Sequence, residues 1–464
     1  MKMKISLALM MVLLAGCASM RPTDPYKPLD GRGRAVSARP PLTSPATMPQ
    51  GALTLLQAIE IAMANNPEVA ARGWDAAVAQ ARQEQAFGAR LPRLGAVGGY
   101  THYLDDQRLI AASRDAAPGL FSRDIVSGDL VLSMPLFAGG RLVNQVNAAE
   151  LLQQAAGHRL ARSREELVFN VTSFFYNILA QRYVIASLDF SQQTLTEHLK
   201  RIDALVEAQK AARVDRMRTD VRLADIQQQL VREKNLMAVQ HRALASLLGL
   251  GDHAASLTPQ GALDQPEKIA VPDLETALAA AWTERGDYLA ARAALEAQAF
   301  AVDAAKAAHW PTVSLQGAYG GRWAVGPAIG TGDEQGDVGR AGLLLEVPIF
   351  EGGQIDARVR EQRANLSAAQ DRLRALDFQV RLEVETALLN VASSSERAAA
   401  IRKSIAQASE SLRIEQQKYD LGKGAIVDVL DAQAALLASE TTYYRVLADF
   451  HTALAQLKLV TGEE

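Results

Sequence analysis

Apolar positions recur along this chain with two periods, and the switch between them happens twice. After Pro92, the residues Leu94, Ala96, Gly98 and Tyr100 alternate with Gly95, Val97, Gly99 and Thr101. After Pro311, the residues Val313, Leu315, Gly317 and Tyr319 alternate with Thr312, Ser314, Gln316 and Ala318. A period of two with one apolar side predicts strands, about 10 residues long. A second pair of such segments ends in a shared junction. Leu130, Leu132, Met134, Pro135, Phe137, Gly139 and Gly140 map onto Leu343, Leu345, Val347, Pro348, Phe350, Gly352 and Gly353, always 213 positions on. Alternating apolar residues, a proline and a Gly-Gly precede a long run rich in Ala, Gln, Arg and Glu. That order predicts a strand, a break and a long helix.

The helical runs are unusually free of breakers. From Gly140 to about Lys210 there is no proline and Gly157 is the one interior glycine; from Gln354 to Tyr419 there is neither. About 70 helical residues span about 105 Å. The abundant alanines predict long, closely packed coiled helices. Each run meets a short turn zone and then a returning helix, ending at Leu250 and Val460. Ahead of the first strand, Thr54-Leu55-Leu56-Gln57 reads as a capping box opening a helix to about Arg90, with a kink at Pro67. Its counterpart starts at Asp273. Thr54, Ala58, Ile59, Glu68, Pro92 and Tyr100 map onto Asp273, Ala277, Leu278, Asp287, Pro311 and Tyr319 at an offset of 219. The fall from 219 to 213 places a six-residue deletion in the second of two polar loops, 105–123 and 324–337, where insertions are best tolerated.

The chain therefore divides into 51–250 and 273–464, two repeats joined by a Gly- and Pro-bearing linker at 251–272. Each repeat reads helix, strand, loop, strand, very long helix, turn, helix. The fold class is a mixed α+β membrane protein with four strands per chain.

Composition adds an export signal and removes several functions. Lys2 and Lys4 precede the apolar stretch Ile5 to Leu14, as in a signal peptide over 1–16. It ends in Leu14-Ala15-Gly16-Cys17, which resembles the lipobox of bacterial lipoproteins; ordinary cleavage beside a chance cysteine is the alternative. Residues 17–50 read as a lipidated, extended tether, and Ala18 after Cys17 resembles outer-membrane sorting signals. Cys17 is the single cysteine, which excludes an internal disulfide. The net charge of −3 points to no nucleic-acid partner. The seven histidines show no metal-ligand spacing, and there is neither a P-loop nor a nucleophile elbow. No catalytic residue, metal or cofactor is expected.

Four strands with a lipid-compatible face cannot close alone, because open edges leave backbone groups that lipid cannot satisfy. Other copies must complete the sheet. Three copies supply twelve strands, enough to enclose water. The charged helices are far too long to lie in the membrane and must extend from one side of it.

These features resemble the outer-membrane efflux factor (TolC) family over nearly all of 51–462. The resemblance rests on the two repeats, the Pro-Leu/Ile-Phe-x-Gly-Gly junctions and Tyr419-x-x-Gly422-x-Gly424-x-x-x-Asp428-Val-Leu-Asp431-Ala. It implies a homotrimer with a 12-stranded barrel in the outer membrane and an α-helical barrel in the periplasm. It implies docking of the helical tips onto a periplasmic adaptor and an inner-membrane pump.

Asp428 and Asp431 lie three apart on one helix face. By themselves they read more readily as solvated first-turn acids favoured by the helix dipole. The resemblance places them at the periplasmic gate, where like charges in a constriction would favour cations. It makes Tyr419 a latch residue whose partner is Asp220, beside Thr219. A latch arginine of the family falls at Gly424, with Lys423 adjacent. Arg213, Val214, Asp215, Gly422, Lys423 and Gly424 form the adaptor-facing tips. The leading expectation is a passive exit duct for drugs, toxic compounds or metal ions. The alternatives are a duct for type I protein secretion, a lipid-anchored coiled-coil adaptor and a purely structural coil.

Overall fold

The computed structural model describes residues 51–110, 119–209, 211–251, 257–264, 271–330 and 334–463. The segments read as a signal peptide and tether, with Cys17, lie outside them.

The capping box forms as read. Thr54 Oγ1 accepts the Gln57 amide at 3.3 Å, and Gln57 Oε1 accepts the Thr54 amide at 3.1 Å. The helix it opens, however, does not run to Arg90. It stops as α1 (Leu55–Asn65), and α2 (Pro67–Gly88) begins afresh. Proline pushes the residue before it out of helical conformation. Asn66 is extended and its Oδ1 caps the amides of Glu68 (2.9 Å) and Val69 (3.1 Å). The second half breaks at the matching position, Arg285, between α5 (Leu274–Glu284) and α6 (Gly286–Lys306), without a proline.

The linker is also more ordered than its lack of period suggested. Its strand β4 (Leu257–Pro259) pairs in parallel with β1 (Gly51–Leu53) just ahead of α1.

Strands β2 (Arg93–Arg108), β3 (Leu120–Phe137), β5 (Thr312–Ala324) and β7 (Gln335–Glu346) form one antiparallel sheet in the order β2-β3-β5-β7. A short β6 (Ala328–Gly330) pairs with the start of β3. The strands hold 16, 18, 13 and 12 residues, so they reach well into the segments read as loops. The cross-strand bonding of a hairpin carries polar residues into the ladder, which a hydrophobic pattern does not register. β3 continues through Pro135 to Phe137 by a bulge, whereas β7 stops before Pro348. The junction motifs thus differ in structure despite their shared sequence.

Register sorts the sheet into two faces. Leu94 faces Leu132, Leu130 faces Tyr319, and Leu315 faces Leu343, all on one side. Leu94, Tyr319 and Leu343 are 72%, 61% and 69% exposed, so nothing among the described residues covers this side. Ser127, Asp129, Gln316, Arg322 and Arg340 share the other.

Helices α3 (Arg141–Glu207) and α7 (Gln354–Asp420) each hold 67 residues, about 100 Å at the standard rise. Both start after two glycines with positive φ, Gly139 (59°) and Gly140 (87°), Gly352 (58°) and Gly353 (79°). A side chain at Gly139 would also strike Trp310 and the Ala307 carbonyl. The returning helices are α4 (Arg213–Leu247) and α8 (Ile426–Thr461). Near the sheet the helices pack in the order α2-α3-α6-α7; toward the tips the order is α4-α3-α8-α7. Val184, Leu188 and Leu195 of α3, Ile226 of α4 and Val429 of α8 form the core of the tip layer. Ala277, Leu278 and Ala281 seat α5 on Val380, Val384, Phe450 and Leu457 of α7 and α8.

Candidate functional site

The residues singled out at the tips gather where α3 passes to α4 and α7 passes to α8. The α7–α8 turn is closed by backbone bonds: the Gly422 amide donates to the Tyr419 carbonyl (2.9 Å) and the Lys423 amide to the Lys418 carbonyl (2.9 Å). Gly422 has φ of 71°, the left-handed region that glycine enters without strain. A side chain at Gly424 would press on Lys418 and the Tyr419 amide. Arg213, Val214, Gly422 and Lys423 are exposed, and Asp215 is half-buried. Lys423 forms no ion pair among the described residues.

Asp428 and Asp431 are both exposed on the first turns of α8. The Asp428 carboxylate accepts the Ala425 amide at 3.3 Å, which satisfies one of the orphan donors at the helix start. It is therefore a capping residue as well as a surface charge. Asp431 makes no such bond among the described residues, and neither acid has a cationic partner there.

The latch is not assembled within one chain. Tyr419 is half-buried against the tip core. Burial raises its hydroxyl pKa, and among charges Asp215 is foremost in raising it further. No hydrogen bond joins it to Asp220, which instead lies 3.8 Å from Arg216 on its own helix. Thr219 is fully buried, and its hydroxyl donates to the Asp215 carbonyl at 2.9 Å. That hydroxyl is spent inside α4.

Two ion pairs that sequence reasoning missed do bind the tips together. Arg201 of α3 meets Asp420 of α7 at 2.9 Å, and Arg216 of α4 meets Asp203 of α3 at 2.6 Å. Their side chains are about half exposed, so each contributes at most about 1 kcal/mol. No spacing announces them, because the partners sit on different helices. The family motif pointed only to the neighbour, Tyr419.

Higher up, Glu233 of α4 is buried among Gln181 of α3 (2.7 Å), Arg232 (3.1 Å) and Arg445 of α8 (3.1 Å). Burial raises its pKa, but these partners outweigh that and hold the carboxyl below its usual range.

Comparison with known proteins places this architecture. The family described as "Outer membrane efflux protein" matches residues 58–250 and 278–463. Outer membrane protein OprJ of Pseudomonas aeruginosa is 25% identical over 472 residues, covering 98% of this chain and 95% of that protein. Outer membrane protein TolC of Vibrio cholerae is 21% identical over 387 residues, covering 81% and 82%. The crystal structure of the outer membrane protein VceC from Vibrio cholerae superposes with a TM-score of 0.74 at 20% identity, over 88% of this chain and 97% of that one. The two matched segments exclude little but the N-terminal stretch and the linker, and on that coverage the chain belongs to the outer membrane efflux protein family.

Proposed function

We propose that three copies of this chain close into the outer-membrane exit duct of a tripartite efflux pump. The observation that carries this reading is the alignment of open edges. In the sheet the edge strands are β2 and β7. In the two helical layers the outermost helices are α2 and α7, then α4 and α7. One flank is thus built wholly from the first half and the other wholly from the second. Such flanks meet head to tail, and a head-to-tail contact that closes gives a ring.

The flanks carry apolar residues to bury. Val214, Met217, Val221 and Val231 are exposed along α4, as are Trp74 and Val78 on α2 and Phe378, Leu382 and Leu389 on α7. Three chains give twelve strands, whose apolar face meets lipid and whose polar face lines water. They also give twelve wall helices. At about 10 Å spacing these form a ring roughly 38 Å across, with too little room inside for α1 and α5 from each chain. Those helices lie outside the wall.

The duct is passive: an adaptor in the periplasm engages the tips, an inner-membrane pump supplies energy, and small molecules leave through the lumen. Cys17 carries the lipid that holds the N-terminus at the outer membrane. Asp428 and Asp431 face the narrowed mouth. The cross-helix pairs at the tips, Arg201–Asp420 and Arg216–Asp203, are weak enough for an adaptor to displace.

Electron microscopy of the detergent-extracted protein tests this. A threefold hollow tube with a helical stem of about 100 Å supports the duct. A monomer or a solid rod sinks it.

A further inference from the structure

Where α1 lies against α3 and α8, the packing leaves a cavity of about 650 Å³. That is within the range of small-molecule sites, about 300–1,000 Å³. The other half of the chain shows that the gap is not a general feature of the architecture. Ala58 and Ala62 of α1 are buried like their counterparts Ala277 and Ala281 of α5. Leu278 is 3% exposed, sealed against α7 and α8, but its counterpart Ile59 is left half-exposed at the cavity wall. Met63, one turn on, is 38% exposed. Among the described residues nothing covers these two side chains.

The far wall is built to be apolar and rigid. Val168 and Phe169 of α3 and Leu454 of α8 face the gap. Tyr176 and His451 also line it, with their rings stacked 4.1 Å apart and 5° from parallel. His451 Nε2 donates to the Asp264 carbonyl at 3.0 Å, which sets the ring's orientation. Burial holds the His451 pKa down, against the pull of the Asp264 carbonyl.

The charges sit at one rim. Arg164 and Lys458 bring cations there, and Glu165 and Glu463 bring acids. Glu165 is already engaged by Arg162 at 3.3 Å. Arg164 pairs with no acid among the described residues. A guanidinium offers a planar fork that suits a carboxylate or sulfonate.

We propose that this cavity binds a small amphipathic acid, with its apolar part between α1, α3 and α8 and its anionic group at Arg164. The ligand is a free molecule rather than a membrane lipid. The 22 residues of α2 set α1 about 33 Å from the sheet, beyond the reach of acyl chains in the bilayer. The site lies within one chain and needs no trimer; the exclusion of lipid alone rests on the sheet's proposed place in the bilayer.

The test uses the full-length protein in lipid nanodiscs, because detergent would compete for the site. Equilibrium dialysis follows radiolabelled decanoate, decanol and decyltrimethylammonium. Saturable binding of one decanoate per chain, over that of empty nanodiscs, is expected. Arg164→Gln should weaken decanoate at least fivefold and leave decanol unchanged. Ala455→Phe and Ile59→Trp, which fill the cavity from two sides, should each weaken both by tenfold or more at an unchanged oligomeric state. The absence of saturable binding would overturn the proposal. So would filled variants that bind as well as the parent, or equal binding of decyltrimethylammonium and decanoate.

Discussion

Arg322 grips Asp129 through both guanidinium Nη atoms, at 2.8 and 3.0 Å, across the seam where β3 meets β5. This is the point at which the first half of the chain joins the second. Gly320 stands directly opposite Asp129, and any side chain there would run into the Asp129 carboxylate and the Gly128 carbonyl. The glycine and the ion pair are one device. Arg322→Gln should cost about 1 kcal/mol, the upper end for a part-exposed pair. Gly320→Val should cost more, because it displaces the backbone as well as the pair. Dissociation of the assembly on heating, followed by gel mobility, orders the two; equal effects would uncouple Gly320 from Asp129.

Asp428 has two jobs that substitutions can separate. Asparagine keeps an oxygen that can accept the Ala425 amide, while alanine removes it. Asp428→Asn with Asp431→Asn should roughly halve cation selectivity, read from reversal potentials in planar bilayers, with little change in heat resistance. Asp428→Ala should in addition lose about 0.5–1 kcal/mol of stability from the helix start. Unchanged selectivity in the double asparagine variant would leave Asp428 with its capping role alone.

Much of the fold was legible because it is written twice. Tyr100 and Tyr319, 219 apart, each reach a carboxylate on the next strand, Asp124 and Asp337, which are 213 apart. The change of offset between the two members of each pair marks the shorter second hairpin. Long helices without breakers, the capping box at Thr54 and the Gly-Gly starts are local signals, and the structure contains them. What could not be read was set by distant partners. Polar residues such as Asp337 join β7 only because β5 lies beside them. Thr219 looked like a gate residue, yet its hydroxyl is claimed by its own helix. Nothing in the sequence marks Arg285, and it is 1% exposed.

The proposed ring makes a prediction about its flanks. Val221 of α4 and Leu382 of α7 are 64% and 62% exposed in the single chain. A carboxylate at either position would be desolvated against the neighbouring copy without a partner. Val221→Glu and Leu382→Glu should each shift the extracted protein toward monomer in size-exclusion chromatography with light scattering. Ala399→Glu is the control, at an exposed position of α7 about a quarter-turn off the line through Leu382 and Leu389, and it should keep the parental mass. Trimers in both flank variants would move the interface elsewhere.

The lipobox reading is tested directly. Cys17 is the one cysteine, so a thioether-linked, palmitate-bearing diacylglycerol has no competing thiol. Cys17→Ala should abolish labelling by radioactive palmitate and leave an unprocessed chain. Labelling that persists would place the acyl group on another residue.

The mid-height ion cluster predicts a specific response to acid. Arg285 donates to Asp287 at 2.7 and 2.9 Å and lies 2.6 Å from Glu383, tying α6 to α7. Burial raises the Asp287 pKa, but the Arg285 hydrogen bonds and charge outweigh it and hold the carboxyl below its usual range. A depressed carboxyl stabilises the fold fully above its unfolded value, about 4, and the contribution is lost as pH falls through the folded value. Glu165 acts in the opposite sense, because burial, against the pull of Arg162, leaves its pKa raised and protonation relieves it. The parent should therefore lose more heat resistance between pH 6 and pH 3.5 than Asp287→Asn, the difference isolating Asp287 from Glu165. At pH 7, Arg285→Met should cost about 3–5 kcal/mol, since it strands two acids, and Arg285→Met with Asp287→Leu should recover part of it. A double variant no better than the single would mean that the arginine acts by packing rather than by charge.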